Sequence, residues 1–274
     1  MVKCLIDADV LLYEVGYAAE SSWRYSHPNE SKEWYADNPP PWDKVFEILD
    51  NRISHIEMAC EATDPSLFFF TSPNNFRTKV AKRSEYKKRN NSKPYHYKNI
   101  KAYLKGTYEH VEFDGLEADD SMAIHQCSVG LDGTTIICTR DKDLRQVPGL
   151  HYGWELGQQP SFGPAYVQGY GQIALDDKRE LRGTGSKFFL AQCIMGDPVD
   201  TVPGLKRGAG AKAALNVVGH TQTYAEGLQA VREAYKGVYG DRGDEELLEQ
   251  AQLLWMVRKM ENGVPVMWDF NYEE

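Results

Sequence analysis

Eight acidic residues fall in four short clusters, and most of the clusters end or interrupt an apolar run that is typical of a buried strand or helix. They are Asp7, Glu117, Asp119, Asp120, Asp141, Asp143, Asp197 and Asp200. Carboxylates that are buried close together repel one another, so a fold that collects them needs basic side chains or metal cations beside them. Because carboxylate oxygens are hard ligands, they favour magnesium or manganese over zinc.

Strand-like and helix-like segments alternate over the first 180 residues. The runs KCLID (3–7), SLFFFT (66–71) and TTIICT (134–139) predict buried strands, and helical patterns alternate with them along the chain. Such alternation predicts an α/β fold with a mostly parallel sheet flanked by helices, whose site lies at the carboxyl ends of the strands. Helical patterns dominate the rest, so we expect a catalytic domain at 1–180 and a helical subdomain at 181–274.

Three further segments carry local expectations. Asp9 stands where a helix N-cap is expected, before VLLYEVGYAA. Residues 21–42 are polar, aromatic and proline-rich, which predicts a surface excursion. The glycine-rich stretch from Gly149 to Gly171 predicts one strand near HYGW (151–154) and irregular structure elsewhere.

Charge is distributed unevenly along the chain. The formal net charge is -9, yet the 77–105 segment carries 11 basic residues and one acid, which makes it +10 and the remainder -19. Tyrosines and a histidine are interleaved with these cations, a combination suited to stacking bases and neutralising phosphates. A solvated basic surface or a disordered arm is the alternative reading of the same pattern.

The five cysteines are widely spaced and contain no CxxC pair. This argues against a disulfide framework and a structural zinc site, and it favours a reducing cytoplasm. No apolar run approaches the length of a membrane span, so we expect no membrane partner.

Each acidic motif is weak alone and stronger in combination. An isolated ExDD at 117–120 is most often a set of ordinary acids in the first turn of a helix, and DxD at 141–143 is common in turns. Together with Asp197 and Asp200, they can hold two metal ions about 4 Å apart, an arrangement that cleaves phosphodiesters. We divide the acids provisionally between two ions. The first takes Asp7, Glu117, Asp119 and Asp120, and the second takes Asp141, Asp143, Asp197 and Asp200.

A glycine-rich turn follows the last acid pair, in GDPVDTVPGLKRGAGAKAAL (196–215). Its exposed amides, at the start of a helix, are suited to cradling a phosphate backbone. Read alone, such a turn is an ordinary connection between two helices.

In this order the motifs resemble the flap endonuclease and 5′ to 3′ exonuclease superfamily, most closely its phage-encoded members. The matching pieces are LIDAD (5–9), FR (76–77), EYKKRN (85–90), LEADD (116–120), TRDKDL (139–144) and GDPVDTVPGLKRGAGAKAA (196–214). The resemblance implies a PIN-like catalytic domain, a helix-turn-helix-like module that grips duplex DNA, and a basic arch at about 72–105. It also implies two Mg²⁺ ions, replaceable by Mn²⁺, and often a K⁺ ion at the glycine-rich turn.

The resemblance assigns roles residue by residue. Lys87 matches the arch lysine that stabilises charge on the scissile phosphate, and with Asp7, Asp119 and Asp141 it forms the expected catalytic set. The expected DNA-binding residues are Arg77, Lys82, Arg83, Tyr86, Lys87, Lys88, Arg89, Gly204, Lys206, Arg207, Gly208, Gly210 and Lys212. Two positions depart from the family pattern: Ser72 stands near the place of an aspartate, and Asn90 where an arginine is usual.

The sequence therefore predicts a magnesium-dependent nuclease, acting as a monomer on the 5′ ends or flaps of DNA beside duplex, in phage DNA replication or degradation. Its expected location is the cytoplasm, that of a bacterial host if the chain is phage-encoded. A PIN-type ribonuclease and a catalytically silent DNA-binding member of the family remain as alternatives.

Overall fold

The computed structural model describes residues 2–87, 92–129 and 132–273. Its main sheet has the strand order β3-β2-β1-β4-β5-β6; the first five strands are parallel, and β6 runs antiparallel to β5. The six strands are β1 (Lys3–Asp7), β2 (Asp64–Phe69), β3 (His110–Val111), β4 (Thr135–Cys138), β5 (Gly149–Gly153) and β6 (Phe162–Val167). Four short strands form two hairpins outside this sheet: β7 (Gln172–Leu175), β8 (Leu181–Thr184), β9 (Met260–Glu261) and β10 (Val264–Pro265).

Helices cover both faces of the sheet. They are α1 (Ala8–Ser26), α2 (Lys32–Asp37), α3 (Trp42–Ala59), α4 (Arg77–Val80), α5 (Tyr97–Thr107), α6 (Ala118–Ser128), α7 (Gly185–Met195), α8 (Ala211–Val218), α9 (Tyr224–Tyr239) and α10 (Gly243–Leu254). The mostly parallel sheet flanked by helices is the architecture that the alternating pattern predicted, and that prediction is confirmed.

The central strands are apolar on both faces because each face is covered. In β1, Cys4 and Ile6 face the layer that contains α1, α3 and α5, while Leu5 faces α6 together with Ile137 of β4. Burial of aliphatic side chains of this size stabilises a fold by about 1.5–3 kcal/mol each. The acids that follow these strands are consequently fixed to a rigid edge.

The C-terminal helices have their own core. Helix α7 is buried from Gly185 to Ile194, and α8, α9 and α10 pack around it. Tyr86, which precedes this region in the chain, belongs to the same core. The division into domains at residue 180 stays a prediction, since the β7–β8 hairpin spans that position.

Three local expectations were wrong. The N-cap of α1 is Asp7, whose carboxylate accepts from the amide of Val10 at 3.2 Å, and Asp9 lies inside the first turn. The 21–42 segment is not a simple excursion, because α1 continues to Ser26 and α2 is formed within it. The glycine-rich stretch contains β6 in addition to β5. The Gly-Pro sequence of β6 is not typical of a strand, but β6 lies at the edge of the sheet, where a proline is acceptable.

The fold also brings three distant cysteines together. The sulfur atoms of Cys4, Cys60 and Cys138 lie within 4.8 Å of one another in the buried layer under α3, a cluster that their spacing in the sequence did not predict. Within the described part of the chain, every helix is too short or too polar to cross a membrane.

Candidate metal centre and nucleic-acid interface

An acidic cleft of about 1270 Å³ opens at the carboxyl ends of β1, β2 and β4. Seven carboxylates line it: Asp7, Asp9, Glu14, Glu117, Asp119, Asp141 and Asp200. Lysines also reach the cleft, among them Lys87 and Lys93. Parallel strands deliver their C-terminal residues to one edge, which explains why acids far apart in the sequence meet here.

Asp7 is the innermost acid, at 3% exposure. Its Oδ2 accepts a hydrogen bond from the hydroxyl of Thr139 at 2.7 Å, which links the end of β1 to the end of β4. Burial, followed by the charge of Asp9, raises the pKa of Asp7 to about 7. The site thus holds a carboxylate that would be fully charged near neutrality only with a cation nearby.

Asp119 and Asp141 face the same cleft and repel each other. Burial raises the pKa of Asp119 well above its ordinary value, and the charges of Asp141 and Asp7 add to the shift. Among the residues that the structure describes, none of these three acids takes part in an ion pair. They are acids of the cleft without an ion pair, although the charge of Lys87 offsets part of the rise in the pKa of Asp119.

Glu117, by contrast, is heavily compensated. It is the N-cap of α6 and accepts from Arg77 at 2.9 Å, from the hydroxyl of Tyr86 at 2.9 Å and from Lys87 at 2.5 Å. Burial acts to raise the pKa of Glu117, but Arg77 and Lys87 outweigh it and hold that pKa below its ordinary value. Glu117 therefore serves mainly to position Lys87 at the edge of the cleft.

Lys87 connects two of the acidic clusters. Its ammonium lies 2.5 Å from Glu117 and 3.6 Å from Asp200, and its amide donates to the carbonyl of Asp200 at 3.1 Å. Burial alone would lower the pKa of Lys87, but the neighbouring Glu117 and the other anionic groups raise it above its usual range. The neighbouring anions therefore favour the charged form of this lysine.

The structure places Asp120 and Arg77 away from the cleft, contrary to their expected roles as metal ligand and DNA contact. Asp120 is fully buried, and its carboxylate accepts hydrogen bonds from both terminal nitrogens of Arg77, at 2.6 and 2.8 Å. The guanidinium, 1% exposed, also donates to the carbonyls of Leu253 and Trp255. The planar guanidinium of Arg77 is hydrogen-bonded within the protein on all sides, so its role is structural and no donor is left for a phosphate.

The predicted second cluster is only partly assembled around the cleft. Asp143 and Asp197 are buried and do not line it; Lys142 approaches them at 3.9 and 3.7 Å. Asp143 also accepts from Gln192 of α7 at 2.7 Å, and burial raises its pKa well above the ordinary value, with Asp141 adding to the shift. Asp143 and Asp197 are therefore both paired with Lys142.

Asp9 is the site residue that the sequence reading missed. Its Oδ2 accepts from the amide of Thr71 at 3.0 Å, which brings the carboxylate to the end of β2 beside Ser72. Burial raises the pKa of Asp9. The acid expected after β2 is thus supplied from α1; its position two residues after Asp7 was the only signal in the sequence.

The donor set suits a hydrated hard cation. In residues 2–87, 92–129 and 132–273, no three carboxylate oxygens come within 4.8 Å of one another, so the acids do not form a closed cage. Magnesium keeps several of its water molecules and commonly uses one or two protein carboxylates. The cleft between Asp7, Asp119 and Asp141 fits such an ion, since its ligands are oxygens and its charge is unbalanced.

The basic residues that follow Arg77 in the chain differ in their contacts. Arg83 is engaged with the C-terminal helices, donating to the carbonyl of Gly204 at 3.0 Å and to the hydroxyl of Tyr239 at 2.8 Å. The side chain of Lys82 is exposed, while its amide is held by Glu249. The predicted contacts Lys88 and Arg89 lie outside the described residues, as does Asn90.

The glycine-rich turn contains both structural and open positions. Gly204 has φ +66°, and a Cβ there would lie 2.4 Å from the amide nitrogen of Gly196, so it is required for the close approach of the two segments. Gly208 and Gly210 face open space. Lys206, Arg207 and Lys212 are exposed around the start of α8.

Neither a protein-family model nor a curated protein sequence matches this chain. Solved structures of bacteriophage T5 proteins are similar to it. The T5 flap endonuclease, in a pseudo-enzyme–product complex with DNA and metal ions, shares 15% identity at a TM-score of 0.47, over 93% of this chain and 99% of its own. The T5 5′-exonuclease with bound zinc shares 16% identity at a TM-score of 0.45, over 93% and 100% of the two chains.

These similar structures are described as phage 5′ nucleases, the group of proteins that the motifs resemble. At these identities, and with TM-scores below 0.5, the likeness carries no argument about catalysis. Any function must therefore be derived from the residues of the acidic cleft and its surroundings.

Proposed function

We propose that this protein is a metal-dependent 5′ nuclease that hydrolyses phosphodiesters of DNA. The observation that carries the proposal is the set of uncompensated acids, Asp7, Asp119 and Asp141, gathered in a cleft whose rim carries Lys87. Such a cleft attracts divalent cations and, with them, a phosphate that the acids alone would repel.

Magnesium, or manganese in its place, fits the oxygen donors. When bound, such ions supply an activated water and stabilise charge on the phosphodiester. We assign the first ion to Asp7, Asp119 and Asp141, with Asp9 nearby. A second ion would be held by Asp141, Asp143, Asp197 and Asp200, where it has to displace Lys142 from the two buried acids.

The chain's own residues bind and orient the substrate. The ammonium of Lys87, held by Glu117 and Asp200, offers a fixed positive charge to the scissile phosphate. Tyr86 maintains this arrangement, because its hydroxyl donates to Glu117 and to Asp200 at 2.9 and 3.1 Å. The expected product carries a 5′-phosphate.

Duplex DNA would be held by the glycine-rich turn. Exposed cations at Lys206, Arg207 and Lys212 surround the N-terminus of α8, which has no side-chain cap and so leaves amide donors for a phosphate. A K⁺ ion at this turn and a monomeric state are part of the same proposal. So is a role in phage DNA replication or degradation within the cytoplasm of a bacterial host, and one similar T5 structure is described as a complex with DNA.

The substrate class is tested by comparing two labelled substrates in Mg²⁺ and in Mn²⁺. A duplex with a 5′ flap should be cleaved near the junction, and a single-stranded RNA should be cleaved much more slowly. Preference for the RNA would replace this proposal with the PIN-type ribonuclease. A wild-type protein that binds the flapped duplex but cleaves it with neither metal would be the catalytically silent member.

A further inference from the structure

A second cavity, of about 580 Å³, lies beside the acidic cleft and is lined by aromatic and basic side chains. We call it the aromatic pocket, and its lining includes Trp23, Arg24, Lys32, Tyr35, Lys93 and Tyr95. Its volume lies within the range of sites that enclose small organic ligands, roughly 300–1,000 Å³. The acids and Lys87 of the acidic cleft take no part in it.

The pocket is built by three segments: the end of α1, residues 32–40 and residues 93–95. The loop after α2 is joined to the segment preceding α5, because His96 hydrogen-bonds the carbonyl of Pro40 at 2.7 Å. The amide of Tyr95 donates to Glu20 of α1 at 2.7 Å. These contacts hold the backbone of Tyr95 in place, while the residue as a whole is 60% exposed.

The aromatic rings are arranged as faces that a planar ligand can contact. The indole nitrogen of Trp23 donates to the carbonyl of Asn38 at 2.9 Å, and Trp34, which is not part of the lining, lies nearly parallel to Trp23 at 16° and 6.4 Å between ring centres. The guanidinium of Arg24 lies 5.9 Å from the ring centre of Tyr35. Aromatic faces beside cations are suited to a nucleobase and its phosphate.

The charge of the pocket favours an anion. Arg24, Lys32 and Lys93 contribute three positive charges, and Glu20 is the acid in the lining. Glu20 is itself approached by Arg24 at 3.5 Å and by the amide of Tyr95. Because Arg24 is already paired with Glu20, a hydrophobic peptide would supply no anion to Lys32 and Lys93, whereas a nucleotide uses both the rings and these charges.

Lys93 lines both the acidic cleft and the aromatic pocket, so the two cavities adjoin. We propose that the aromatic pocket binds an unpaired nucleotide of a single-stranded 5′ tail that leaves the acidic cleft past Lys93. This inference rests on the proposed function, since it requires DNA in the cleft. It gives the aromatic segment between α1 and α3 a role in selecting tailed substrates.

The test compares the affinity of two duplexes, one with an oligo-thymidine 5′ tail and one without, by fluorescence anisotropy in the Asp141→Asn background. Replacing both Lys32→Ala and Tyr95→Ala should lower the ratio of the two affinities by roughly fivefold or more, because a stacked base and a phosphate contact are lost. Tyr95→Phe keeps the ring and should keep the ratio. The matched control is Tyr25→Ala with Lys178→Ala, two exposed residues outside the pocket, and it should leave the ratio unchanged.

The inference is overturned if the protein with the unmodified pocket binds the tailed and the untailed duplex equally well. It is also overturned if the Lys32/Tyr95 double variant keeps the same ratio of these two affinities. Cleavage of the same duplexes by wild-type protein in Mg²⁺ separates this result from failure of the proposed function. Active protein without tail preference refutes the pocket alone, and tail-selective binding without cleavage refutes the nuclease alone. Quenching of fluorescence by the tail, reduced in Trp23→Phe, would place the base beside that indole.

Discussion

At the scale of single residues, the acidic cleft separates acids that are paired from acids that are not. Glu117 and Asp120 share Arg77, and Asp143 and Asp197 share Lys142. Asp119 is left with raised pKa because burial and the neighbouring carboxylates disfavour its charge. A divalent cation removes this penalty, so the unpaired acids are where metal binding gains most.

Asp119→Asn and Asp141→Asn should each lower metal-dependent cleavage by more than roughly 100-fold, since even outer-shell changes at metal sites commonly cost 10–100-fold. DNA affinity measured without metal should not fall, because a negative charge is removed near the phosphates. The control is Asp177→Asn, an exposed acid on the β7–β8 hairpin. Cleavage that survives in both cleft variants would contradict the assignment.

The stability of the metal-free protein should depend on the protonation of Asp7. Its pKa is about 7 in the folded state against an ordinary value of 3.8, so the folded state binds the proton more tightly. The resulting stability is fully present below about pH 4 and is lost as the pH rises through 7. Between pH 5 and 8 the loss should be about 2–3 kcal/mol.

Urea denaturation in EDTA across this pH range measures the effect. Asp7→Asn should reduce the pH dependence to the part that Asp119 and Asp143 contribute, since burial raises the pKa of these two acids as well. Glu117 has a lowered pKa, so its contribution is lost only at more acidic pH and does not affect this window. A wild-type profile as flat as that of the variant would show that Asp7 does not titrate in this way.

Residue roles could be predicted from the sequence only where the motif itself fixes the environment. The acids at the ends of β1 and β4 were found because a strand end dictates their place. Arg77 and Asp120 were assigned to the site wrongly, because the sequence does not show that a guanidinium will be enclosed by carbonyls from residues 253 and 255. Asp9 was missed because a first-turn acid looks like a cap.

At the scale of elements, the Arg77 side chain joins three parts of the fold. It begins α4, binds the first turn of α6 and contacts the end of α10. Loss of this one side chain leaves Glu117 with fewer partners and Asp120 without a cation. The orientation of α6, and therefore the position of Asp119, depends on the hydrogen bonds of the Arg77 guanidinium.

Arg77→Ala should lower the free energy of unfolding by about 3–5 kcal/mol, the usual effect of leaving a buried charge without its partner. Lys79→Ala, an exposed change in the same short helix, should have little effect. Thermal and urea unfolding measure both. A loss below about 1 kcal/mol for Arg77→Ala, the range of exposed ion pairs, would contradict the structural role.

Elements with strong periodic or apolar patterns were predicted well, including β1, β2, β4 and α6. Strands β6, β7 and β8 were not, because glycine interrupts β6 and β8, β7 has only four residues, and their stability comes from pairing with neighbours. The turn at 196–210 was found by its glycines. Only the structure shows that Gly204 supports the fold while Gly208 and Gly210 remain open.

At the scale of the whole molecule, this acidic protein carries two local groups of basic residues. One is the 77–105 segment, and the other surrounds the start of α8 with Lys206, Arg207 and Lys212. The net charge of -9 does not prevent binding, because contacts depend on local charge. The overall architecture was predictable; the way in which Tyr86 and Arg83 tie the basic segment to the C-terminal helices was not.

Neutralising Lys206, Arg207 and Lys212 together with alanine should weaken duplex binding and make it less sensitive to salt. Each lost phosphate contact lowers the slope of log affinity against log salt by roughly one unit. Fluorescence anisotropy over a series of KCl concentrations measures the slope. If the triple variant keeps the wild-type slope, the turn does not contact DNA; Lys178→Ala is the control for a lysine elsewhere on the surface.

The most direct test of the central claim is digestion of a nicked linear duplex, labelled at the 5′ end of the nick, beside the same sequence as a closed circle. We expect that Mg²⁺ or Mn²⁺ supports release of short labelled products from the nick, with 5′-phosphates on the remaining strand. We expect no release in EDTA or with Asp141→Asn, and no cleavage of the closed circle. Cleavage that persists in EDTA, or equal cleavage of the circle, would contradict a metal-dependent nuclease that requires a 5′ end.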